Sequence, residues 1–242
     1  MNTYRDDYNG FAVEEREGDY RTYLGSIFTQ MSLGLLLTAV MAYLCYASLI
    51  RGGIVYRIMV QFPYAALILI VAELAVAIGM HAAFRKLSAA AVKGLFYLYA
   101  ALTGISFAFI FIAYDLGTVF MAFAISAAFF ASMAYIGYRT EMDLSGFRPY
   151  LFGGLIAVIV GSVIALLFRL PALDLFITYA GLAIFIGITA YDMQKVKNLY
   201  YAADIDEEDA RKLGTYGAME LYLDFINIFL RVLRILGNRR RN

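Results

Sequence analysis

Two aspartates, Asp192 and Asp224, lie inside long apolar segments near the end of the sequence. A carboxylate inside a bilayer costs about 2.5–3.5 kcal/mol even on lenient insertion scales, so such residues commonly serve a function. Two close, poorly solvated carboxylates cannot both be ionised cheaply, and the pair therefore titrates as a unit. Such a pair can hold a shared proton as a latch and, once deprotonated, attract a cation. The alternative is structural, with one aspartate bonding a neighbouring helix and the other in headgroup water.

The composition of the chain is typical of an integral membrane protein. Of its 242 residues, 62% are hydrophobic and 16% are charged, whereas a soluble domain is roughly 25% charged. The charged residues cluster between apolar runs, so the expected surroundings are a lipid bilayer. The net charge of +1 provides no basic surface suited to nucleic acid.

Cysteine and histidine are too scarce to build a metal site. The chain has one cysteine, Cys45, and one histidine, His81, so neither a disulfide nor a zinc site is expected within it. Any metal site would consist of oxygen ligands, which favours calcium, magnesium or monovalent cations. His81 is expected either as a hydrogen-bonded interface residue or as a pH sensor. No resident cofactor is expected.

Seven apolar segments are long enough to span a membrane as helices, each of which needs about 20 residues. Short connections with turn chemistry join them, and proline lies at helix starts or in connections. The sequence therefore predicts an all-α protein with a polar tail at 1–23, a seven-helix transmembrane domain at 24–236 and a basic tail at 237–242. The predicted spans are Leu24–Leu49, Phe62–Phe84, Val92–Tyr114, Thr118–Tyr138, Tyr150–Phe168, Leu173–Tyr191 and Gly214–Leu236.

The distribution of Lys and Arg predicts the orientation, because cytoplasmic loops carry the excess of these residues. Seven crossings that start from a cytoplasmic N-terminus place more basic residues inside than outside. The basic tail Arg239–Arg241 would then lie outside. If the last helix instead dips in and returns, that tail moves inside and the asymmetry increases. The N-terminus is predicted to be cytoplasmic in both cases, and the side of the C-terminus stays open.

Helical spacing predicts that the two aspartates lie at one depth and face each other. If the sixth helix runs on past its apolar span to about residue 204 and the seventh begins near 212, each aspartate is about 12 residues, or roughly 18 Å of helix, from the connection between them. In the last span, polar residues recur at three- and four-residue steps and form one stripe. In the preceding span, Gly181 on the face of Asp192 would let another backbone approach closely. The stripe comprises Glu220, Asp224, Asn227, Arg231 and Arg234.

Four further residues are candidates for the ion path or its latch. Glu220 and Asn227 share the stripe with Asp224. Glu73 is a third carboxylate within an apolar segment, and it either belongs to the path or bonds a helix partner. Arg85 ends the second span, and its side chain either extends to the membrane interface or reaches inward to an aspartate.

Several sequence motifs are shared with a known family. They are Leu221–Leu230, Leu233–Gly237, Ala190–Gln194, Phe96–Gly104 and Thr140–Ser145. On these motifs the chain resembles the Bax inhibitor-1 family, also called the TMBIM or LifeGuard group, in its bacterial branch. One departure is that the family usually has lysines where this chain has Glu141 and Met142.

The resemblance implies a fold and a function. It implies a seven-helix bundle with the last helix central, and a pH-sensitive calcium leak channel in which Asp192 and Asp224 are sensor and gate. Calcium would be a permeant ion held transiently by these two carboxylates. Arg85 resembles the arginine that latches one aspartate. The bacterial branch implies an inner membrane.

Three other functions were weighed against the channel. A proton-coupled transporter would need helices broken in matching halves, and the sequence has no such pair. An intramembrane aspartyl protease also uses one aspartate on each of two helices, but such enzymes have Gly-x-Gly before the second aspartate, whereas Leu221–Leu223 precedes Asp224 here. The third is regulation, because some family members restrain cell death and some bacterial ones modulate a membrane protease. The prediction is therefore a protein that is not an enzyme, with a possible membrane protease partner.

Overall fold

The polypeptide is helical throughout the part that the structure describes. This structure, a computed structural model, describes residues 3–82, 86–202 and 207–237. These residues form α-helices, and a short 3-10 helix at Leu144–Phe147 lies in the connection between α6 and α7. The predicted all-α class is therefore confirmed. The helices are α1 (Thr3–Ile50), α2 (Ile54–Gln61), α3 (Ala65–Ala82), α4 (Ala89–Phe107), α5 (Ile110–Ala113), α6 (Leu116–Arg139), α7 (Arg148–Leu167), α8 (Pro171–Ala202) and α9 (Glu207–Leu236).

Local chemistry explains where several helices begin and end. Gly52 adopts φ 65°, the left-handed conformation that ends α1. Ser88 and Asp115 cap α4 and α6, since their side chains accept the amide protons of Ala91 and Thr118 at 3.3 and 2.9 Å. Pro171 begins α8, where its missing N–H has no cost.

The predicted count of seven spans is not confirmed. Among the described residues, five helices are long and apolar enough to cross a membrane, and α2 with Ala65–Met80 adds a sixth if that pair, bent by 104°, is one span. The predicted single span Phe62–Phe84 is therefore the second part of a bent pair. Helix α9 does not meet the hydropathy requirement, because polar and charged residues interrupt its apolar sequence.

The first helix extends far beyond its predicted span. Helix α1 begins at Thr3, so the segment predicted as a polar tail is helical, and its candidate membrane span begins only at Tyr20. The predicted basic tail lies outside the described residues from 238 onward. The predicted span Val92–Tyr114 is divided between α4 and the short α5. The remaining predicted spans agree with the helices to within a few residues, except that α8 and α9 both extend past them toward their shared connection.

Helix α9 is the centre of the bundle. It packs against α1, α4, α6 and α8. Many of its side chains are buried, among them Met219, Leu221, Tyr222 and Ile228, none of which is exposed. The central last helix implied by the resemblance is therefore present. Burial inside protein also explains how a helix with many polar residues can lie at this position.

Contacts at its two ends show that α9 runs the full length of the bundle. At the first end, which holds the start of α4 and the α8–α9 connection, the Ala89 amide donates to Glu208 at 2.8 Å. At the second end, Arg234 donates to Asp174 in the first turn of α8 at 2.6 Å. Helix α9 is continuous over 30 residues. The described chain therefore has no dip and return in its last helix.

Candidate functional site

The two aspartates lie together in the interface between α8 and α9. Asp192 is 8% exposed and Asp224 is 3% exposed. The charge of Asp192 acts on Asp224, and the charges of Glu220 and Lys195 act on both aspartates. The structure thus places both residues as the helical spacing predicts, in one buried interface and within electrostatic reach.

One oxygen of this pair has no hydrogen-bond partner. Oδ2 of Asp224 is buried without a donor among the described residues. The neighbouring Thr189 hydroxyl lies beside Asp224, but it donates to the Phe185 carbonyl of its own helix at 2.9 Å. A buried polar atom without a partner costs about 1–3 kcal/mol, and more when charged. A shared proton, a water molecule or a cation would each satisfy this oxygen.

A salt bridge lies one helical turn from the pair, toward the first end of the bundle. The Lys195 ammonium on α8 is 2.5 Å from the Glu220 carboxylate on α9. The two side chains line a cavity of about 280 Å³, together with Tyr216. Helical spacing in the sequence predicts Glu220 but not Lys195. Its position three residues after Asp192 was the available signal, because residues at that spacing share a helix face.

The polar stripe continues along α9 to the second end, where Arg231 and Arg234 contact α8. Arg234 forms the ion pair with Asp174, and the guanidinium carbon of Arg231 would lie 3.0 Å from a Cβ placed on Gly181. The expectation that a backbone approaches Gly181 is therefore wrong, since an arginine side chain fills that space. Asn227 instead donates to the Leu223 carbonyl of its own helix at 2.8 Å.

Glu73 lies in a different interface. It accepts a hydrogen bond from Ser106 on α4 at 2.5 Å. Bonding to a helix partner is one of the two roles predicted for Glu73. Arg85 lies outside the described residues, and its assignment as a latch stays a prediction. The structure describes only the backbone of His81, at the end of α3.

A buried hydroxyl cluster joins α1, α4 and α9 on the other side of Asp224. The Tyr222 and Thr38 oxygens are 2.7 Å apart, and the Thr38 hydroxyl is 2.9 Å from the Ala100 carbonyl. Thr38 and Tyr222 are 184 positions apart in the chain. No local pattern in the sequence predicts this cluster, because its members are far apart in the chain.

The connection after α6 is fastened to α8 close to Asp192. The Gln194 side chain accepts from the Leu144 amide and donates to the Met142 carbonyl, both at 2.8 Å. Hydrogen bonds from the amide and hydroxyl of Ser145 hold the pKa of Asp143 below its usual value. Because Met142 takes part through its backbone carbonyl, these hydrogen bonds do not need the lysines that the family usually has there.

The donor set around the aspartates suits a passing cation better than a resident one. No group of three or more His, Cys, Asp or Glu side chains that could hold a metal ion occurs in the described ranges. Calcium usually takes six to eight oxygen ligands, and two carboxylates supply fewer than that. Water would have to complete the coordination of any cation at this position.

Comparison with known proteins identifies the family. The sequence matches the family model described as "Inhibitor of apoptosis-promoting Bax1" over residues 20–241. It is 41% identical to the inner membrane protein YbhL of Escherichia coli (strain K12), over 94% of this chain and 96% of that protein. It is 37% identical to an uncharacterized protein of Borreliella burgdorferi, over 91% of this chain and 93% of the relative. The uncharacterized protein RP147 of Rickettsia prowazekii is 34% identical, over 91% of each chain. The chain therefore belongs to the Bax inhibitor-1 family of membrane proteins.

Proposed function

We propose that this protein is a pH-sensitive cation leak channel, with calcium as its main permeant ion, gated by protonation of Asp192 and Asp224. The observation that carries this proposal is the buried Oδ2 of Asp224, which has no hydrogen-bond partner in the described part of the chain and lies beside a second carboxylate. Such an arrangement is costly unless a proton or a cation occupies it. A stable helix contact would have been cheaper to build from apolar residues.

The proposed gate works through the contact between α8 and α9. With one proton on the pair, the two carboxyl groups can share it and hold the helices together. Without that proton, like charges repel each other and attract a cation into the interface. The polar interface between α8 and α9, called the seam below, extends beyond the gate in both directions. It runs from the cavity at Lys195 and Glu220 to the Arg234–Asp174 ion pair at the second end.

The location proposed is a bacterial inner membrane. The relative from Escherichia coli is named an inner membrane protein and matches nearly the whole chain. Basic residues near the first end of the bundle, such as Arg139, Arg148 and Lys197, support a cytoplasmic location for this end. The N-terminal part of α1 lies at the same end.

Burial of the pair favours a gate over a hydrolytic dyad. An aspartyl protease would need water and a peptide bond at both carboxylates, whereas these are 8% and 3% exposed. A regulatory protein that binds a membrane protease would not depend on the aspartates. The channel experiment therefore also separates these functions.

The test is calcium entry into liposomes that contain a calcium dye and the purified full-length protein. We expect a flux that changes with pH between mildly acidic and mildly basic conditions. Replacing both aspartates, Asp192→Asn with Asp224→Asn, should flatten this pH dependence, because the amides keep the shape of the site but cannot exchange a proton. The matched control is Glu141→Gln, an exposed carboxylate outside the helices, which should keep the native pH profile.

Two outcomes would contradict the proposal. Folded native protein that gives no more flux than empty liposomes at any pH removes the channel function and favours the regulatory one. A flux whose pH dependence survives the double substitution shows that the sensor lies elsewhere in the chain.

A further inference from the structure

The charged groups around the aspartates include one cation that belongs to the protein. Lys195 follows Asp192 by three residues on α8, and Glu220 precedes Asp224 by four on α9, so all four side chains share one stretch of the interface. The Lys195 ammonium contacts Glu220 at 2.5 Å and also acts electrostatically on both aspartates. The site thus already contains a positive charge on a flexible side chain.

Glu220 holds this ammonium at the wall of the cavity of about 280 Å³. The side chains of Lys195 and Glu220 remain 37% and 21% exposed, whereas Asp192 and Asp224 are buried deeper in the same interface. A lysine ammonium is a compact charge on a four-carbon stem with several rotatable bonds. A change of rotamer would therefore be enough to move it between Glu220 and the aspartates.

We propose that Lys195 is a tethered counter-cation that divides its time between the aspartate pair and Glu220, and that a cation from solution binds the pair while Glu220 holds the ammonium. This inference rests on the proposed cation pathway and assigns a specificity-determining residue to it. The ammonium and an incoming cation satisfy the same negative charge, so they compete. Glu220 sets the outcome of that competition by binding the ammonium itself.

The test compares substitutions at both positions in the calcium-dye liposomes. Lys195→Met removes the competitor and should raise flux at low calcium about fivefold, the effect of losing roughly 1 kcal/mol of charge interaction. Glu220→Gln releases Lys195 onto the aspartates and should lower flux by a similar factor. In the double variant the competitor is absent, so its flux should equal that of Lys195→Met. Lys197→Met is the matched control, because Lys197 donates to the Tyr138 carbonyl instead.

The double variant decides between two roles for Glu220. If Glu220→Gln lowers flux equally with and without Lys195, then Glu220 is itself a cation ligand and the inference is wrong. A native flux that Lys195→Met leaves unchanged also overturns it. Thermal unfolding of each purified variant confirms that it is folded. The double variant leaves no unpaired charge behind, so it preserves the test if a single variant unfolds.

A binding measurement separates failure of this inference from failure of the channel. Terbium serves as a calcium substitute, and tyrosines near the site can sensitise its luminescence in a chain that contains no tryptophan. Lys195→Met should bind terbium more tightly and Glu220→Gln more weakly, and the double variant should again resemble Lys195→Met. This pattern in a protein without flux would retain the tethered cation and reject the leak. Equal terbium affinity in all variants would reject the tethered cation.

Discussion

At the scale of single residues, the chain places unlike polar groups on opposite sides of one helix. Asp224 faces α8 with an oxygen for which the described residues provide no partner, whereas Tyr222, two positions earlier, contacts Thr38 on α1 at 2.7 Å. The first arrangement costs free energy and leaves a site open for a proton or a cation. The second is satisfied and holds α9 to α1, so the helix stays in place when the charge beside it changes.

The Tyr222 hydroxyl offers a direct test of this anchoring role. Because the Thr38 hydroxyl lies within donating distance of backbone carbonyls, Tyr222 is the donor in their bond. Tyr222→Phe should therefore cost about 1 kcal/mol of stability and lower the melting temperature in detergent. Tyr150→Phe, at an exposed tyrosine, should leave it unchanged. Equal melting of both variants would show that the cluster does not stabilise the fold.

Residue types predicted the aspartates better than they predicted the partners of those aspartates. A carboxylate in an apolar segment is unusual by itself, so Asp192 and Asp224 could be singled out from the sequence. Lys195 lies in the last turns of α8, past the predicted apolar span, where a lysine is ordinary, and its partner Glu220 is 25 positions away. Pairings of this kind follow from the register of two helices, which local spacing does not determine.

At the scale of helices, close backbone contact brings α6 to the helix that carries Asp192. A Cβ on Gly137 would collide with the backbone carbonyl of Ala190, two residues before Asp192. Only glycine permits this approach of α6 to α8. Hydropathy predicted α6 almost to its boundaries, whereas the bend of 104° between α2 and the next helix has no counterpart in hydropathy. Apolar length thus determines that a segment is helical, and packing determines its path.

Gly137→Ala should therefore separate α6 from α8 and disturb the proposed gate. We expect a lower melting temperature and a shifted pH profile of calcium flux, because the backbone beside Asp192 must move. The matched control is Gly153→Ala on α7, where no atom lies within 4 Å of the added methyl group. That variant should be neutral or slightly more stable, since alanine is the better helix former. A Gly137→Ala protein that melts and conducts like the native one would contradict the contact.

At the scale of the whole molecule, α9 connects the two ends of the bundle along the seam that contains the proposed gate. Glu208 contacts the start of α4 at one end, and Arg234 contacts Asp174 at the other. The polar stripe of α9 makes this helix less hydrophobic than the candidate membrane spans. Because α9 is surrounded by α1, α4, α6 and α8, its side chains contact protein and the proposed cation path, and few of them need to contact lipid.

This arrangement predicts on which side of the membrane α9 ends. Leu236→Cys, at the last residue of α9 and in a Cys45→Ala background, should react with a membrane-impermeant maleimide from the side opposite to Glu141→Cys. Leu170→Cys, between α7 and α8, should react from the same side as Leu236→Cys, because α8 begins where α9 ends. Labelling of Leu236→Cys from the Glu141 side would mean that the last helix returns, and the polar seam could not then cross the membrane.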